Sequence, residues 1–282
     1  MSPKLRVYYN AVVGGLAGLI TWLVVGQLFG SEARVQVRNL FSGATTGLII
    51  GLAIGSLDGV FSRSTKRALA GALAGAIFGL VGGVTSLWLA EATFGVVKGG
   101  LLGRAFGWAI FGIGIGLGES LLARSARRTS YSVLGGFVGG FAGGLVLQVL
   151  FQARFDLTLA TALARVILGA CIGSFIGLAQ EFLKQAWVTV VRGRPEGHES
   201  ILYRIDNTVG SSEQSDVMLH GDWVPHHAAR IVQQKGQFFL DPLGNQMTVN
   251  QAPVRGRISL KDSDRIEIGK SALVFRTKVG AR

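Results

Sequence analysis

Asp58, Glu119 and Glu181 each stand at the end of a long apolar run, and Arg104 and Arg165 stand near the start of two such runs. On membrane-spanning helices both placements oppose the helix macrodipole, which favours acids at N-termini and bases at C-termini. One chemistry that suits them is an acidic ring at a cytoplasmic mouth, drawing cations or relaying protons. The other is interfacial pairing, Asp58 with Arg63, Glu119 with Arg124 and Glu181 with Lys184. Elsewhere His220, His226 and His227, with Asp222 as a carboxylate neighbour, are a candidate set of metal-donor types. No Cys accompanies them, since the single Cys171 lies inside an apolar run, so no metal or cofactor is assigned. Gly112-x-Gly114-x-Gly116 also sits inside an apolar run with no strand before it, which rejects a nucleotide loop. No nucleophile elbow, Walker loop or paired carboxylates occur, so no catalytic residue is assigned and an enzyme is not expected.

The elements that must position these charges are announced by glycine. Gly43, Gly47, Gly51, Gly55 and Gly59 form one column at four-residue spacing, and Gly71, Gly75, Gly79 and Gly83 form another. Gly135, Gly139 and Gly143 run beside Gly136, Gly140 and Gly144, and Gly169, Gly173 and Gly177 close the series. In water each would cost about 1 kcal/mol of helix stability against Ala. In a bilayer the absence of water enforces the helix, and small residues four apart let two backbones touch. Mean hydropathy is +0.44, and only 16% of residues are charged, against roughly 25% in an ordinary soluble domain. The sequence therefore predicts a multi-pass membrane domain over residues 1–185.

Six runs approach or exceed the ~20 residues needed to cross the hydrocarbon core, at about 9–29, 41–61, 68–89, 101–122, 132–151 and 159–183. Lys4 and Arg6 precede the first; Arg63, Lys66 and Arg67 follow the second; Arg124, Arg127 and Arg128 follow the fourth; Lys184, Arg192 and Arg194 follow the sixth. By the positive-inside rule the N- and C-termini and both basic turns are cytoplasmic, in the cell membrane. The net charge of +12 is spread through these gaps and not gathered on one face, so it reads as topology and excludes nucleic acid as the partner. Gly14–Gly18, Gly71–Gly75 and Gly135–Gly139 carry similar small-residue motifs about 60 residues apart. The expectation is three parallel helical hairpins, each begun by one of these motifs. Such a domain has the bilayer as its first partner, and its glycine faces are compatible with a homo-oligomer.

After Trp187 the texture changes. Residues 186–199, with Gly193, Pro195 and Gly197 among charges, read as a linker. From 200 to 282 short alternating runs recur at 201–205, 216–219, 229–232, 237–240, 247–250, 265–268 and 272–275, separated by turn residues. That pattern predicts a small β-sandwich.

The order of Val209-Gly210-Ser211, Ser215-Asp216-Val217-Met218-Leu219, Val224-Pro225-His226-His227-Ala228-Ala229, Leu243-Gly244-Asn245, Val249-Asn250 and Asp264-Arg265-Ile266-Glu267-Ile268-Gly269 resembles that of a forkhead-associated (FHA) domain. The resemblance covers about 200–278 and implies an all-β sandwich that binds a cytoplasmic protein partner, in the family's usual case a phosphoprotein. It also implies that the loop face carries the site: Ser211, Ser212, His226, His227 and Asn245. The family's phosphothreonine-binding Arg after the turn Gly is Ser211 here; its loop Ser is Pro225, the following Arg is His226, and its structural His is Ala228. Asn245 keeps the loop Asn, but the next Gly is Gln246. A phosphate favours the fixed fork of Arg. This loop face offers imidazoles and hydroxyls instead. Two readings stay open: a membrane-anchored adaptor or scaffold, in Ser/Thr phosphorylation signalling or envelope-complex assembly, and a channel or carrier regulated by the FHA-like domain.

Overall fold

The computed structural model describes residues 3–28, 35–96, 101–121, 125–152, 157–194, 196–243 and 246–278. It divides into two compact units, a helical one ending at Phe182 and a β one from Leu183 onward. The helical unit contains α1 (Pro3–Leu28), α2 (Val35–Phe61), α3 (Thr65–Val96), α4 (Leu101–Ser120), α5 (Ala126–Gln152) and α6 (Leu157–Leu183). Five of the six are long and apolar enough to cross a membrane; α4 contributes a shorter apolar stretch, Ala105–Ser120.

The repeat is gapless and its period is 61 residues. Arg6, Arg67 and Arg128 correspond, as do Gly14, Gly75 and Gly136, and Gly51, Gly112 and Gly173. The first unit therefore opens at Pro3, the second at Ser64, the third at Ser125, and the β unit takes over at Ala186, where a fourth would begin. Ser64 and Ser125 play the same part. Each accepts a backbone N–H three residues on with its hydroxyl, from Arg67 at 3.3 Å and Arg128 at 3.4 Å, and so caps α3 and α5. Arg63, at φ 54°, ends α2 with a left-handed residue just before the Ser64 cap.

The closest helix pairs are not the expected hairpins. Glycine meets glycine between α2 and α3: a methyl built on Gly47, Gly51 or Gly55 would strike the backbone carbonyl of Gly79, Gly75 or Gly71. Gly112 and Gly136 do the same between α4 and α5, and Gly169 and Gly14 between α6 and α1. Each even helix thus packs backbone to backbone on the first helix of the next unit, and α6 closes the series on α1. Backbone contact of this kind replaces the hydrophobic driving force that helices lack in lipid. Where the even helices converge, Ile50, Phe111 and Ile172 form one layer of related side chains and Ile54, Ile115 and Ile176 a second, all 0% exposed within one cluster.

The β unit is a sandwich of two sheets. β1 (Ala186–Arg192), β2 (Glu199–Ile201), β7 (Met247–Val249), β8 (Ala252–Val254), β10 (Arg265–Ile268) and β11 (Ser271–Thr277) form the first, in the order β2-β1-β11-β10-β7-β8. β3 (Asp206–Gly210), β4 (Val217–Met218), β5 (Ala229–Gln234), β6 (Gln237–Pro242) and β9 (Ile258–Leu260) form the second, in the order β4-β3-β5-β6-β9. Inward residues of both sheets, among them Val188, Val190, Val209, Ile231, Leu240, Ile266 and Phe275, fill the core between them.

Residues 186–199 are therefore not a linker. Ala186, Val188 and Val190 point inward in strict alternation, and β1 pairs along its length with β11 and, on its other side, with β2. Only Lys184 and Gln185 separate α6 from the sandwich. The buried Lys184 ammonium lies 3.4 Å from the Glu199 carboxylate and 4.1 Å from the centre of the Trp187 ring, which fixes the start of β1.

Candidate functional site

The loop face of the sandwich is built where β3 ends. Gly210 has no side chain because there is no room for one: a methyl there would strike the carbonyl of His226. This approach lets Ser211 N–H donate to the Pro225 carbonyl at 2.9 Å and Ser212 N–H to that of His226 at 3.3 Å. The two loops are thereby laced together. Ser215, 1% exposed, donates its hydroxyl to the His226 carbonyl at 3.4 Å, and Ser212 Oγ accepts the Gln214 N–H at 3.2 Å. Asp216 accepts from Thr208 N–H and Oγ at 2.8 and 3.0 Å, tying the far end of the loop back to β3.

On this frame Ser211 Oγ and His226 Nδ1 lie 3.5 Å apart, at the outer edge of hydrogen-bond range. His226 and His227 are exposed, and Ser211 and Ser212 half-buried. Ser211 and His226 are thus brought side by side, with Ser212 laced to the same loop and His227 next to His226 in it; the fifth expected loop residue, Asn245, lies outside the described residues. Ala228, in place of the family's structural His, is fully buried, and its N–H donates to the Val209 carbonyl at 2.9 Å. His220 is held apart from the pair, its N–H bonded to the Arg194 carbonyl at 2.9 Å. Among the described residues no group of three or more His, Cys, Asp or Glu comes together.

The charges of the helical unit gather differently from expectation. Arg128 Nη2 donates to Glu119 Oε1 at 2.6 Å and lies 3.4 Å from Asp58 Oδ1, so one arginine of the third repeat joins carboxylates of the first two. Glu119 Oε2 accepts from Ser132 Oγ at 2.6 Å and from Gln180 Nε2 at 3.0 Å. Asp58 therefore pairs with Arg128 where Arg63 was expected, and Arg124 lies outside the described residues. Glu181 is not the third member. The 61-residue register runs Asp58, Glu119, Gln180, and the Gln180 side chain is the buried one that enters the cluster, at 3% exposure. Lys184, expected beside Glu181, bonds Glu199 at 3.4 Å. At the other end Arg165 donates to Ser42 Oγ at 2.9 Å, and the Arg104 side chain lies outside the described residues. Arg128, Ser132 and Gln180 were missed by sequence reasoning; the gapless period is the signal that finds two of them, aligning Arg128 with Arg6 and Arg67 and Gln180 with Asp58 and Glu119.

Comparison with known proteins assigns the sandwich. The family model described as the FHA domain matches residues 207–269, and the sandwich is an FHA domain. An FHA domain solved in work on phosphothreonine-dependent FHA domain interactions is 24% identical, covering 33% of this chain and 97% of that chain at a TM-score of 0.31. The FhaA FHA domain, solved in complex with the intracellular domain of Rv3910, is 25% identical over 32% of this chain and 99% of that one, at 0.30. The cytoplasmic domain of PscD, a type III secretion sorting-platform protein of P. aeruginosa, is 14% identical over 33% and 81%, at 0.31. No curated protein matches the chain.

Proposed function

We propose that the protein is a membrane-anchored adaptor whose FHA domain docks a cytoplasmic protein partner through the Ser211, Ser212, His226, His227 and Asn245 face, with little contribution from phosphate. The observation that carries this is the Ser211–His226 contact. At the two positions where the family places arginines, a hydroxyl and an imidazole stand against each other. Neither supplies the bidentate, permanently charged fork that a phosphate rewards. What the face does supply is a laced pair of loops with hydroxyl and imidazole donors and acceptors, which suits a peptide surface. In this reading the helices hold the domain at the inner side of the cell membrane, the basic turns set both termini on the cytoplasmic side, and the setting is phosphorylation signalling or assembly of an envelope complex.

A channel or carrier is the weaker alternative. The threefold repeat favoured it, but the two layers of fully buried side chains fill the place where the even helices converge.

Titration calorimetry with a phosphothreonine peptide and its unphosphorylated twin tests the reading. The unaltered domain should bind the two within a few-fold of each other at pH 7.5. Ser211→Arg with His226→Arg should favour the phosphopeptide by tenfold or more, since each charge-assisted hydrogen bond contributes about 1.5–3 kcal/mol. Tight, phosphate-dependent binding by the unaltered domain would overturn it and turn attention to Arg230, Arg255 and Arg257.

A further inference from the structure

The three glycine seams are built from the same repeat positions, yet they are not in the same register. In the α2–α3 seam Gly51 sits on Gly75 and Gly47 on Gly79; in the α4–α5 seam Gly112 sits on Gly136 and Trp108 on Gly140. Translated by the 61-residue period, the third seam should place Gly173 on Gly14 and Gly169 on Gly18. Instead Gly173 meets Asn10, Gly169 meets Gly14, and Gly18 meets the Arg165 backbone. Relative to α6, α1 is displaced by four residues, one helical turn or about 6 Å along the axis, away from the end that carries the basic turns.

We propose that α1 is a sliding helix with two registers on α6, the one described and the symmetric one a turn away. Three features support it. Backbone lies against backbone at Gly14–Gly169 in the present register, and Gly14, Gly18, Gly169, Gly173 and Gly177 leave the same four-residue ladder open in the other. A column of glycines at one-turn spacing opposes no side-chain ridge to a one-turn step. Second, the tight turn through Ser62, Arg63 and Ser64 locks the α2–α3 seam in register, whereas the chain leaves α6 for β1 and no such turn joins α6 to α1. Third, the step keeps an apolar side chain on the neighbouring helix: Tyr9 packs on Phe61 of α2, ring centres 5.6 Å apart, and Val13, one turn further along the same face of α1, would take its place.

The step has a chemical consequence. It moves Arg6 along the bundle by one turn, into the level that Arg67 and Arg128 occupy in the other two units. One-turn ratchets between packed helices are an established form of two-state switching. The device stands whether or not the FHA domain reads phosphate.

Disulfide trapping of the full chain in native membranes, in a Cys171→Ala background, reads the register directly. A Cβ at Gly15 lies 3.6 Å from that of Ala170, inside the range a disulfide spans; in the other register Ser174 takes the place of Ala170. Both Gly15→Cys/Ala170→Cys and Gly15→Cys/Ser174→Cys should cross-link, at rates within about tenfold of each other. On the locked α2–α3 seam Ala76→Cys/Leu52→Cys should cross-link and Ala76→Cys/Leu48→Cys should not. A Gly15/Ser174 yield no higher than that of Ala76/Leu48 would overturn the proposal, and so would failure of Gly15/Ala170.

Discussion

Asp262 shows how single side chains hold the sandwich together where its sheets turn. Its carboxylate accepts the Thr277 N–H at 2.9 Å and the Ser263 hydroxyl at 3.0 Å, with Arg276 at 3.3 Å. These donors, the backbone N–H of Thr277 above all, hold its carboxyl below the ordinary carboxylate range. A depressed folded-state pKa contributes stability that is fully present above the unfolded value, about 3.9, and is lost as pH falls through the folded value. Asp262→Asn should therefore lower the melting temperature of the sandwich by a few degrees at pH 7. The gap to the unaltered domain should narrow steadily below pH 4. Melting curves at pH 7, 4 and 3 check this, and a gap that stays constant with pH would contradict it. At the same scale the loop face was legible from motif order, because each turn residue of the FHA pattern has a counterpart at the right spacing. The Ser211–His226 contact was not, since two loops 15 residues apart meet only once Gly210 has let them approach.

At the scale of elements, β1 was hidden for a physical reason. Ala186-Trp187-Val188-Thr189-Val190 continues an apolar helix almost without a break, and the glycines and charges after it look like a connection. Its alternation is visible only once the end of α6 at Leu183 is known. β1 lies between β2 and β11, so an excised domain that begins at 200 loses a central strand and leaves two edges unpaired. Fragment 184–278 should unfold cooperatively, while 200–278 should be largely unfolded or aggregated at 25 °C; circular dichroism and denaturant titration distinguish them, and equal cooperativity would contradict the assignment of β1. The repeat register was obscured by a related ambiguity. Matching the motif at Gly14 with the one at Gly71 aligns the units one turn away from the true period, because glycines four apart fit a shifted copy nearly as well as the right one. The same degeneracy that misaligns the sequence lets the α1–α6 seam occupy a shifted register.

At the scale of the whole molecule, two kinds of repetition meet in one chain. Three gapless units build a helical bundle whose Asp58, Glu119, Arg128 and Gln180 cluster at one end, and the sandwich begins where a fourth unit would start. The number of helices and their apolar character were readable from composition and glycine spacing. Which helices pair was not, because the partner of each even helix lies in the next unit of the repeat. For the function proposed, the bundle supplies location and the loop face supplies recognition. Photo-cross-linking from the full chain in native membranes tests that division most directly. With a photoreactive residue at position 226, a discrete adduct should form and persist after phosphatase treatment, while the exposed position 259 on β9 should give none. Loss of the adduct on phosphatase treatment, or equal capture from 259, would contradict docking through the loop face without phosphate.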